Sequence, residues 1–319
     1  MAALITGGSG FIGVQLVRAL LAQGESPIIF SRTPSLTRLD DVADQVGVIR
    51  GDLSNFSHVL QAVKQAQPRV VYHLGAMTSV PSEADPASAL QTNVLGTFHV
   101  LEAARLFEVP QVLFASSMGV YGLDIHDDII SDMTLQRPQL FYGATKVFGE
   151  HAGRFYKRKY GLDFRGIRYP SVMGPGVRAP GVAQYTSWAI EASAKGEPYT
   201  IWVRPETRVP LLYVTEGAQA LVQLAAAPVG QIKTVTYLID GVKPTPSARE
   251  LADTIRAKIP GTRIDFQPDP TLQPLIDDLA RPFDDSRARQ EWGWQPTYDL
   301  ERIVEAFLRE LREHPQRYR

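Results

Sequence analysis

A glycine-rich segment near the N-terminus constrains the fold more than any other feature of the chain. Residues 6–13 read TGGSGFIG, between an apolar run at 2–6 typical of a buried strand and a helical apolar pattern at 11–22. Glycine lets the backbone approach a pyrophosphate, and a helix N-terminus attracts its negative charge. The segment therefore predicts a dinucleotide-binding turn. The residues predicted to contact the cofactor here are Gly7, Gly10, Phe11, Ile12 and Gly13.

Strand and helix patterns alternate through the first half of the chain. Further strand candidates are residues 27–30, 46–49, 70–74, 112–115 and 164–169. Helix candidates between them are residues 57–65, 87–107 and 142–160, the last one ended by Gly161. This order predicts an α/β fold with a Rossmann-type, doubly wound parallel sheet.

The regular alternation fails after the last of these strands. Prolines and glycines crowd residues 170–181, and a second group of prolines spans 260–282. We expect such loops to form the substrate side of a site. The predicted organisation is a dinucleotide-binding domain over 1–170, with a return of the chain near 212–241, and a smaller α/β domain over 171–319 that mainly binds substrate.

Charge and composition exclude several classes of function. A formal net charge of -1 without a long basic run gives no attraction for nucleic acid or an anionic membrane. The chain has no cysteine and six scattered histidines, so no metal site is predicted. No apolar run reaches the roughly 18 to 20 residues of a membrane span, and the N-terminus lacks an export pattern. We expect a cytoplasmic protein that binds a small molecule.

The end of the second predicted strand indicates which dinucleotide is preferred. NAD-binding proteins usually place a carboxylate there, whereas this chain has Ser31 and Arg32. Hydroxyl and guanidinium groups suit the 2′-phosphate of NADP, so we expect NADP to be preferred over NAD. Asp52, followed by Leu53 after the third strand, is placed to reach the adenine amine.

A tyrosine and a lysine four residues apart predict acid–base chemistry. Tyr142 and Lys146 share one face of a predicted helix. A tyrosine ordinarily titrates near pH ~10, so it needs nearby positive charge to act as a base at neutral pH. Ser117 follows a predicted strand, at the sheet edge where α/β folds bind ligands. We interpret Tyr142 as the general acid/base, Lys146 as the group that tunes it, and Ser117 as the holder of the reacting oxygen.

Together these motifs resemble the extended short-chain dehydrogenase/reductases, over essentially the whole chain. Supporting strings are HLGA at 73–76, NVLGT at 93–97, SSMGVYG at 116–122 and YGATK at 142–146. The resemblance implies an NAD(P)-dependent enzyme in which Ser117, Tyr142 and Lys146 are catalytic and Asn93 helps to order the region around Lys146. It also implies a homodimer through the helices at 87–107 and 142–160. Further cofactor contacts are expected at Leu74, Gly75, Ala76, Tyr142, Lys146 and Tyr169.

The C-terminal half is most similar to the epimerase-like L-threonine dehydrogenases of that family. Matching strings include IRYP at 167–170, PLLY at 210–213 and DDSRAR at 284–289. Those enzymes embrace the amino acid with a glycine-rich Thr-Thr-Asp segment, where this chain has PGVAQYTS at 180–187. We therefore expect a small secondary alcohol or ketone, hydroxy-acid or threonine-like, and poor turnover of L-threonine. The expected substrate contacts are Ser79, Ser117, Met118, Tyr142, Tyr185 and Thr186.

Two alternatives use the same motifs. A nucleotide-sugar epimerase or dehydratase shares the catalytic set, but such enzymes usually place an asparagine where this chain has Pro170 and Ser171. A catalytically silent NADP-sensing module is a third hypothesis, and the intact serine, tyrosine and lysine set argues against it.

Overall fold

Seven parallel strands form the main sheet of the computed structural model, which describes residues 1–318. In chain order the strands are β1 (Ala2–Thr6), β2 (Ser26–Ser31), β3 (Gly47–Arg50), β4 (Val70–His73), β5 (Gln111–Ser117), β6 (Asp163–Tyr169), β7 (Ser171–Met173), β8 (Tyr199–Ile201), β9 (Leu211–Tyr213), β10 (Thr236–Leu238) and β11 (Ile264–Phe266). The helices are α1 (Phe11–Ala22), α2 (Phe56–Ala66), α3 (Ser79–Ala84), α4 (Pro86–Ala89), α5 (Gly96–Leu106), α6 (Phe141–Tyr160), α7 (Tyr185–Ala194), α8 (Val214–Ala226), α9 (Ala248–Lys258), α10 (Leu272–Asp277), α11 (Ser286–Trp292) and α12 (Leu300–Glu313).

The strand order of the main sheet is β10-β6-β5-β4-β1-β2-β3. Successive strands are added outward in one direction from β1 to β3 and in the other from β4 onward, so the order reverses between β1 and β4. In such sheets a crevice opens at the carboxyl ends of the two strands that flank the reversal. The predicted Rossmann-type, doubly wound sheet is confirmed.

Helices cover both faces of the sheet because its central strands are apolar on both sides. Ala3 and Ile5 of β1 pack in the core that contains α1 and α8, whereas Leu4 points into the core that contains α2 and α5. This alternation along β1 follows from the two-residue period of a strand.

The helical region after β4 differs from the single helix predicted over 87–107. The structure has α4, a π-helical segment at Leu90–Leu95 and then α5, in one continuous run. A π-helical turn carries one more residue than an α-helical turn, so the side chains that follow are rotated about the axis. The long helix α6 agrees with the prediction and ends at Gly161, whose φ of 74° is left-handed.

The second half of the chain forms its own apolar core beside the sheet. Two small parallel pairs, β7 with β9 and β8 with β11, pack there with α7, α9 and α12. The chain also returns to the main sheet, because α8 packs on α1 and β10 pairs with β6 at the sheet edge. Across residues 1–318, no helix combines the length and apolar character needed to span a bilayer.

Candidate active site

A cavity of about 580 Å³ lies at the carboxyl ends of β1, β4, β5 and β6. It is therefore at the point where the strand order reverses, which is the usual ligand site of such sheets. The sequence-predicted residues that line it are Gly7, Gly10, Phe11, Ile12, Gly13, Leu74, Gly75, Ala76, Ser79, Ser117, Met118, Tyr142, Lys146 and Tyr169.

The glycine-rich turn forms one end of this cavity. Gly7 has a left-handed φ of 71°, and a Cβ on Gly7 would lie 2.9 Å from the backbone of Gly75. A Cβ on Gly13 would lie 2.3 Å from the Gly7 carbonyl oxygen, so only glycine lets α1 pack so closely on the turn. No side chain caps the start of α1 at Gly10. This uncapped N-terminus facing a cavity fits a dinucleotide pyrophosphate.

A buried histidine supports the turn from below. His73 Nδ1 lies 2.7 Å from Thr6 Oγ1, which also accepts a 3.0 Å hydrogen bond from the Gly75 N–H. His73 Nε2 lies 3.0 Å from Thr97 Oγ1, whose hydroxyl donates to the Asn93 carbonyl. The Thr97 oxygen therefore accepts from the Nε2–H of His73, and in the neutral imidazole Nδ1 accepts from the Thr6 hydroxyl. Burial agrees, since it lowers the pKa of His73 to about 3.

The predicted catalytic residues meet where β5 ends and α6 begins. Lys146 Nζ donates a 2.8 Å hydrogen bond to the Ala115 carbonyl and lies 5.5 Å from the centroid of the Tyr142 ring. Ser117 is the last residue of β5, and its hydroxyl accepts a 3.0 Å hydrogen bond from the Gly119 N–H. All three predicted catalytic side chains line the cavity.

Burial sets the protonation of this group. It raises the pKa of Tyr142 to about 12, with the neighbouring Ser117 hydroxyl acting in the opposite direction. Burial lowers the pKa of Lys146 to about 8, opposed by the charge of Glu150. Within the chain, burial outweighs any lowering of the tyrosine pKa, and the expectation that nearby positive charge favours the phenolate stays a prediction. At neutral pH the phenol keeps its proton, and the lysine is mostly charged.

Glu150 is a part of this region that sequence reasoning missed. Its side chain is 1% exposed and accepts hydrogen bonds from Ser116 Oγ at 2.5 Å, Gln136 Nε2 at 2.7 Å and Arg168 Nη2 at 2.7 Å. The four-residue spacing from Lys146 places Glu150 on the same helix face. This spacing could have indicated a buried, charge-paired carboxylate, because acidic residues on a buried helix face are almost always paired.

Asn93 acts beside the catalytic set rather than in the cavity. Its amide oxygen accepts a 2.8 Å hydrogen bond from the Met77 N–H, and its amide nitrogen donates to the Met77 carbonyl at 3.0 Å and to Thr145 Oγ1 at 3.2 Å. Thr145 precedes Lys146 on α6. The π-helical segment Leu90–Leu95 holds Asn93 in this buried position.

The residues predicted to contact the adenosine lie beside the glycine turn and do not line the cavity. Ser31 ends β2, and Arg32 is 64% exposed, with its Nη1 3.8 Å from Asp52 Oδ2. Leu53 is buried, and its Cδ1 would lie 2.8 Å from a Cβ on Gly75, the second residue after β4.

Tyr185 and Thr186 do not line the cavity, and their role as substrate contacts stays a prediction. Both begin α7 and are buried, and the Tyr185 ring packs edge-on against Trp202 at a centroid distance of 5.7 Å. Thr186 Oγ1 donates a 2.9 Å hydrogen bond to the Ala183 carbonyl. The large Tyr185 ring in the first turn of α7 packs into the C-terminal apolar core. The segment instead contributes Gly181, Val182, Ala183 and Gln184 to the cavity.

Several other lining residues were not singled out individually by the sequence, although Leu275, Ile276 and Leu279 lie in the proline-rich segment expected on the substrate side. Arg38 Nη2 donates a 2.9 Å hydrogen bond to the Ser9 carbonyl in the glycine turn. Arg178 Nη1 lies 3.1 Å from Glu191 Oε2. The remaining unpredicted lining residues include Thr78, Gln139, Leu140, Val209, Leu275, Ile276 and Leu279.

A Rossmann sheet with a glycine turn and a cavity at its strand-order reversal defines the dinucleotide-binding α/β enzymes. The chain belongs to the NAD dependent epimerase/dehydratase family, whose sequence pattern matches residues 3–239. The resemblance to the extended short-chain dehydrogenase/reductases is thus confirmed, and the chain is an NAD-dependent oxidoreductase of that type.

Known proteins similar to the chain include L-threonine dehydrogenases and a UDP-glucose 4-epimerase. The mitochondrial L-threonine 3-dehydrogenase of Bos taurus is 30% identical over 314 residues, which cover 96% of this chain and 81% of that protein. The holo form of a GalE-like L-threonine dehydrogenase from Cupriavidus necator is 27% identical with a TM-score of 0.89, covering 98% and 100% of the two chains. A Thermus thermophilus UDP-glucose 4-epimerase in complex with NAD is also 27% identical, with a TM-score of 0.84 and coverage of 98% and 99%.

Proposed function

We propose that the enzyme transfers a hydride between a nicotinamide cofactor and a small secondary alcohol or ketone, of the size of a hydroxy acid or threonine. One observation carries this proposal: Ser117, Tyr142 and Lys146 meet in the cavity that the glycine turn also lines. In this proposal residues 1–170 and the returning segment 212–241 hold the dinucleotide, and residues 171–319 mainly bind substrate.

The side chains divide the proton chemistry among them. The bound nicotinamide would supply the hydride acceptor or donor. Ser117 holds the reacting oxygen by a hydrogen bond, and Tyr142 gives that oxygen its proton in the direction of reduction. The charge of Lys146, held in place by the Ala115 carbonyl, stabilises the phenolate that remains. At neutral pH the Tyr142 phenol carries the proton that the acid role requires.

NADP is the proposed preferred cofactor, with NAD as the alternative. The end of β2 presents Ser31 and Arg32, so no carboxylate there repels a 2′-phosphate. The exposed Arg32 guanidinium lies 3.8 Å from the Asp52 carboxylate, a long distance for an ion pair. This loose pair leaves most of its donors free to bind a phosphate.

A second copy of the chain is the proposed protein partner. Large apolar side chains stay exposed on the helices that cover one face of the sheet, although the sheet side of the same helices is well packed. They are Leu90, Leu95, Phe98, Leu106, Phe107, Phe148, Phe155 and Tyr160. Because α5 and α6 pack side by side, these side chains form a shared surface suited to an isologous contact.

A nucleotide-sugar epimerase is the second candidate, supported by the likeness to the Thermus enzyme. The two candidates are separated by assaying small secondary alcohols, their ketones and UDP-sugars with both cofactors. Hydride transfer to or from the substrate changes the absorbance of the reduced nicotinamide, whereas epimerisation gives no net reduced cofactor and needs a product assay. We expect net cofactor turnover with a small alcohol or ketone. Epimerisation of a UDP-sugar without such turnover would contradict the proposal.

A further inference from the structure

The cavity has two chemically different ends. At the glycine turn, Arg38 donates to the carbonyls of Ser9 at 2.9 Å and Gly176 at 3.4 Å. Arg178 lies at the same end, because its Nη2 donates a 2.7 Å hydrogen bond to the carbonyl of Tyr318, whose ring packs on Gly176. Both arginines therefore flank the part of the cavity that fits the dinucleotide phosphates.

The end beside the catalytic set has an apolar wall. Met118 directly follows Ser117, and Leu279 belongs to the same apolar cluster as Met118. Further along this wall, Ile276 and Val209 belong to the C-terminal core. The wall is thus backed by packed apolar side chains rather than by solvent. Its members are Met118, Leu140, Val182, Ala183, Val209, Leu275, Ile276 and Leu279.

The polar side chains near this wall are uncharged, and the nearest aspartates lie outside the lining in hydrogen bonds of their own. The lining contains Thr78, Ser79, Gln139 and Gln184. Outside it, Asp277 binds the Arg204 guanidinium at 2.8 Å, and Asp278 accepts a hydrogen bond from Gln139. Among residues 1–318, no aspartate or glutamate lines the cavity.

From this lining, and resting on the proposed function, we infer that the substrate is uncharged, with a mainly apolar group on the reacting carbon. A substrate ammonium would have no carboxylate to pair with. A substrate carboxylate would find Lys146 near the reacting oxygen, where its ammonium donates to the Ala115 carbonyl, whereas Arg38 and Arg178 bind carbonyls at the glycine-turn end. Burying an uncompensated charge against an apolar wall is strongly unfavourable. We expect discrimination of at least about 100-fold in kcat/KM in favour of a neutral substrate.

Three alcohols with the same hydroxyl position test the inference. Methyl 3-hydroxybutyrate is neutral, 3-hydroxybutyrate is an anion, and L-threonine is a zwitterion. Each is assayed for kcat/KM with NADP and NAD, and for binding to the complex of enzyme and reduced cofactor by quenching of nicotinamide fluorescence. We expect the ester to exceed the other two by about 100-fold in kcat/KM and to bind more tightly.

A charge placed in the wall provides a second test. Leu275→Arg introduces a cation into the cavity lining, and Thr271→Arg adds the same charge at an exposed position just before the same helix. We expect Leu275→Arg to lower the ester-to-acid ratio of kcat/KM by about 10-fold or more, because the cation pairs with the carboxylate. Thr271→Arg should leave the ratio as it is in the unmodified protein.

The outcomes separate this inference from the proposed function. Turnover of the acid or of L-threonine as efficient as that of the ester would overturn the inference and leave hydride transfer intact. Tighter binding of the ester without any turnover would support the uncharged ligand and contradict the proposed function. Equal binding of all three, or binding of none, would contradict the inference.

Discussion

Lys146 Nζ donates a 2.8 Å hydrogen bond to the carbonyl oxygen of Ala115, and so joins helix α6 to strand β5. One helical turn further on, Glu150 accepts a 2.5 Å hydrogen bond from the hydroxyl of Ser116, the next residue of the strand. One turn earlier, Tyr142 lies beside Ser117. Three side chains on one face of α6 thus lie against three consecutive residues of β5, which are 115–117. The catalytic geometry depends on this register between α6 and β5.

Glu150→Gln should lower the free energy of unfolding and shift the loss of activity at high pH to a lower pH. Arg168 is buried and would lose its carboxylate partner, so we expect the free energy of unfolding to fall by about 3 to 5 kcal/mol. The charge of Glu150 raises the pKa of Lys146, so its loss should move that pKa below about 8. Because the lysine must be protonated to act, activity should be lost at lower pH than in the unmodified protein.

Urea denaturation and a pH profile of kcat measure these effects. The double variant Glu150→Gln/Arg168→Gln serves as the control, since removing both charges should recover part of the lost stability. A profile with an unchanged high-pH limb in the single variant would contradict the assigned influence of Glu150 on Lys146.

Arg32→Asp should reverse the cofactor preference. The carboxylate would repel the 2′-phosphate of NADP and accept a hydrogen bond from the ribose 2′-hydroxyl of NAD. Fluorescence titration of both reduced cofactors gives the two dissociation constants. Arg312→Asp, at an exposed position on helix α12, makes the same change of charge away from the end of β2. Tighter binding of NAD(H) than NADP(H) by the unmodified protein would refute the preference.

His73 should make the fold sensitive to acid. Burial lowers the pKa of His73 to about 3 in the folded chain. The unfolded chain therefore binds a proton at this histidine near pH 6.5, whereas the folded chain binds it only near pH 3. Stability should therefore fall as the pH drops from about 6.5 to about 3, by up to about 1.4 kcal/mol per pH unit from this group. His73→Gln should reduce that slope, whereas the exposed His126→Gln should not. Equal slopes for the two variants, measured by urea denaturation, would contradict the role of His73.

Charges on the exposed apolar surface should dissociate the proposed dimer. Phe98→Glu and Phe155→Glu, on α5 and α6, would place carboxylates where two copies meet. We expect each variant to sediment as a monomer while the unmodified chain sediments as a dimer. Val229 is an apolar residue that is 64% exposed and lies outside this surface. Val229→Glu should therefore leave the dimer intact. A monomeric unmodified chain would exclude this proposal.

Much of the fold was predictable because local sequence and tertiary packing agree in the first half of the chain. The glycine turn, α1 and β1 follow from residues 2–22, where apolar periodicity and turn chemistry point to one structure. The π-helical segment Leu90–Leu95 was not predictable, since its apolar spacing also suits a regular helix. Asn93 is buried there by contacts with residues distant in sequence.

The substrate side was the least predictable part of the site. The position of Tyr185 could not be predicted, because the direction of the first side chains of α7 depends on packing against Trp202 and the C-terminal core. Arg38 reaches the glycine turn from an irregular segment without periodicity. Leu275 and Leu279 meet the cavity only through the tertiary fold. Sequence spacing carries no information on such contacts.

The most direct test of the proposed chemistry is hydride transfer by Tyr142→Phe, measured in a single turnover at saturating cofactor. The variant keeps the ring and removes the proton-carrying oxygen, and Tyr160→Phe, at the exposed far end of α6, makes the same change outside the site. We expect the rate to fall by at least about 100-fold in Tyr142→Phe, with unchanged cofactor affinity, and to stay normal in Tyr160→Phe. A near-normal rate in Tyr142→Phe would contradict the assignment of this tyrosine as the general acid/base.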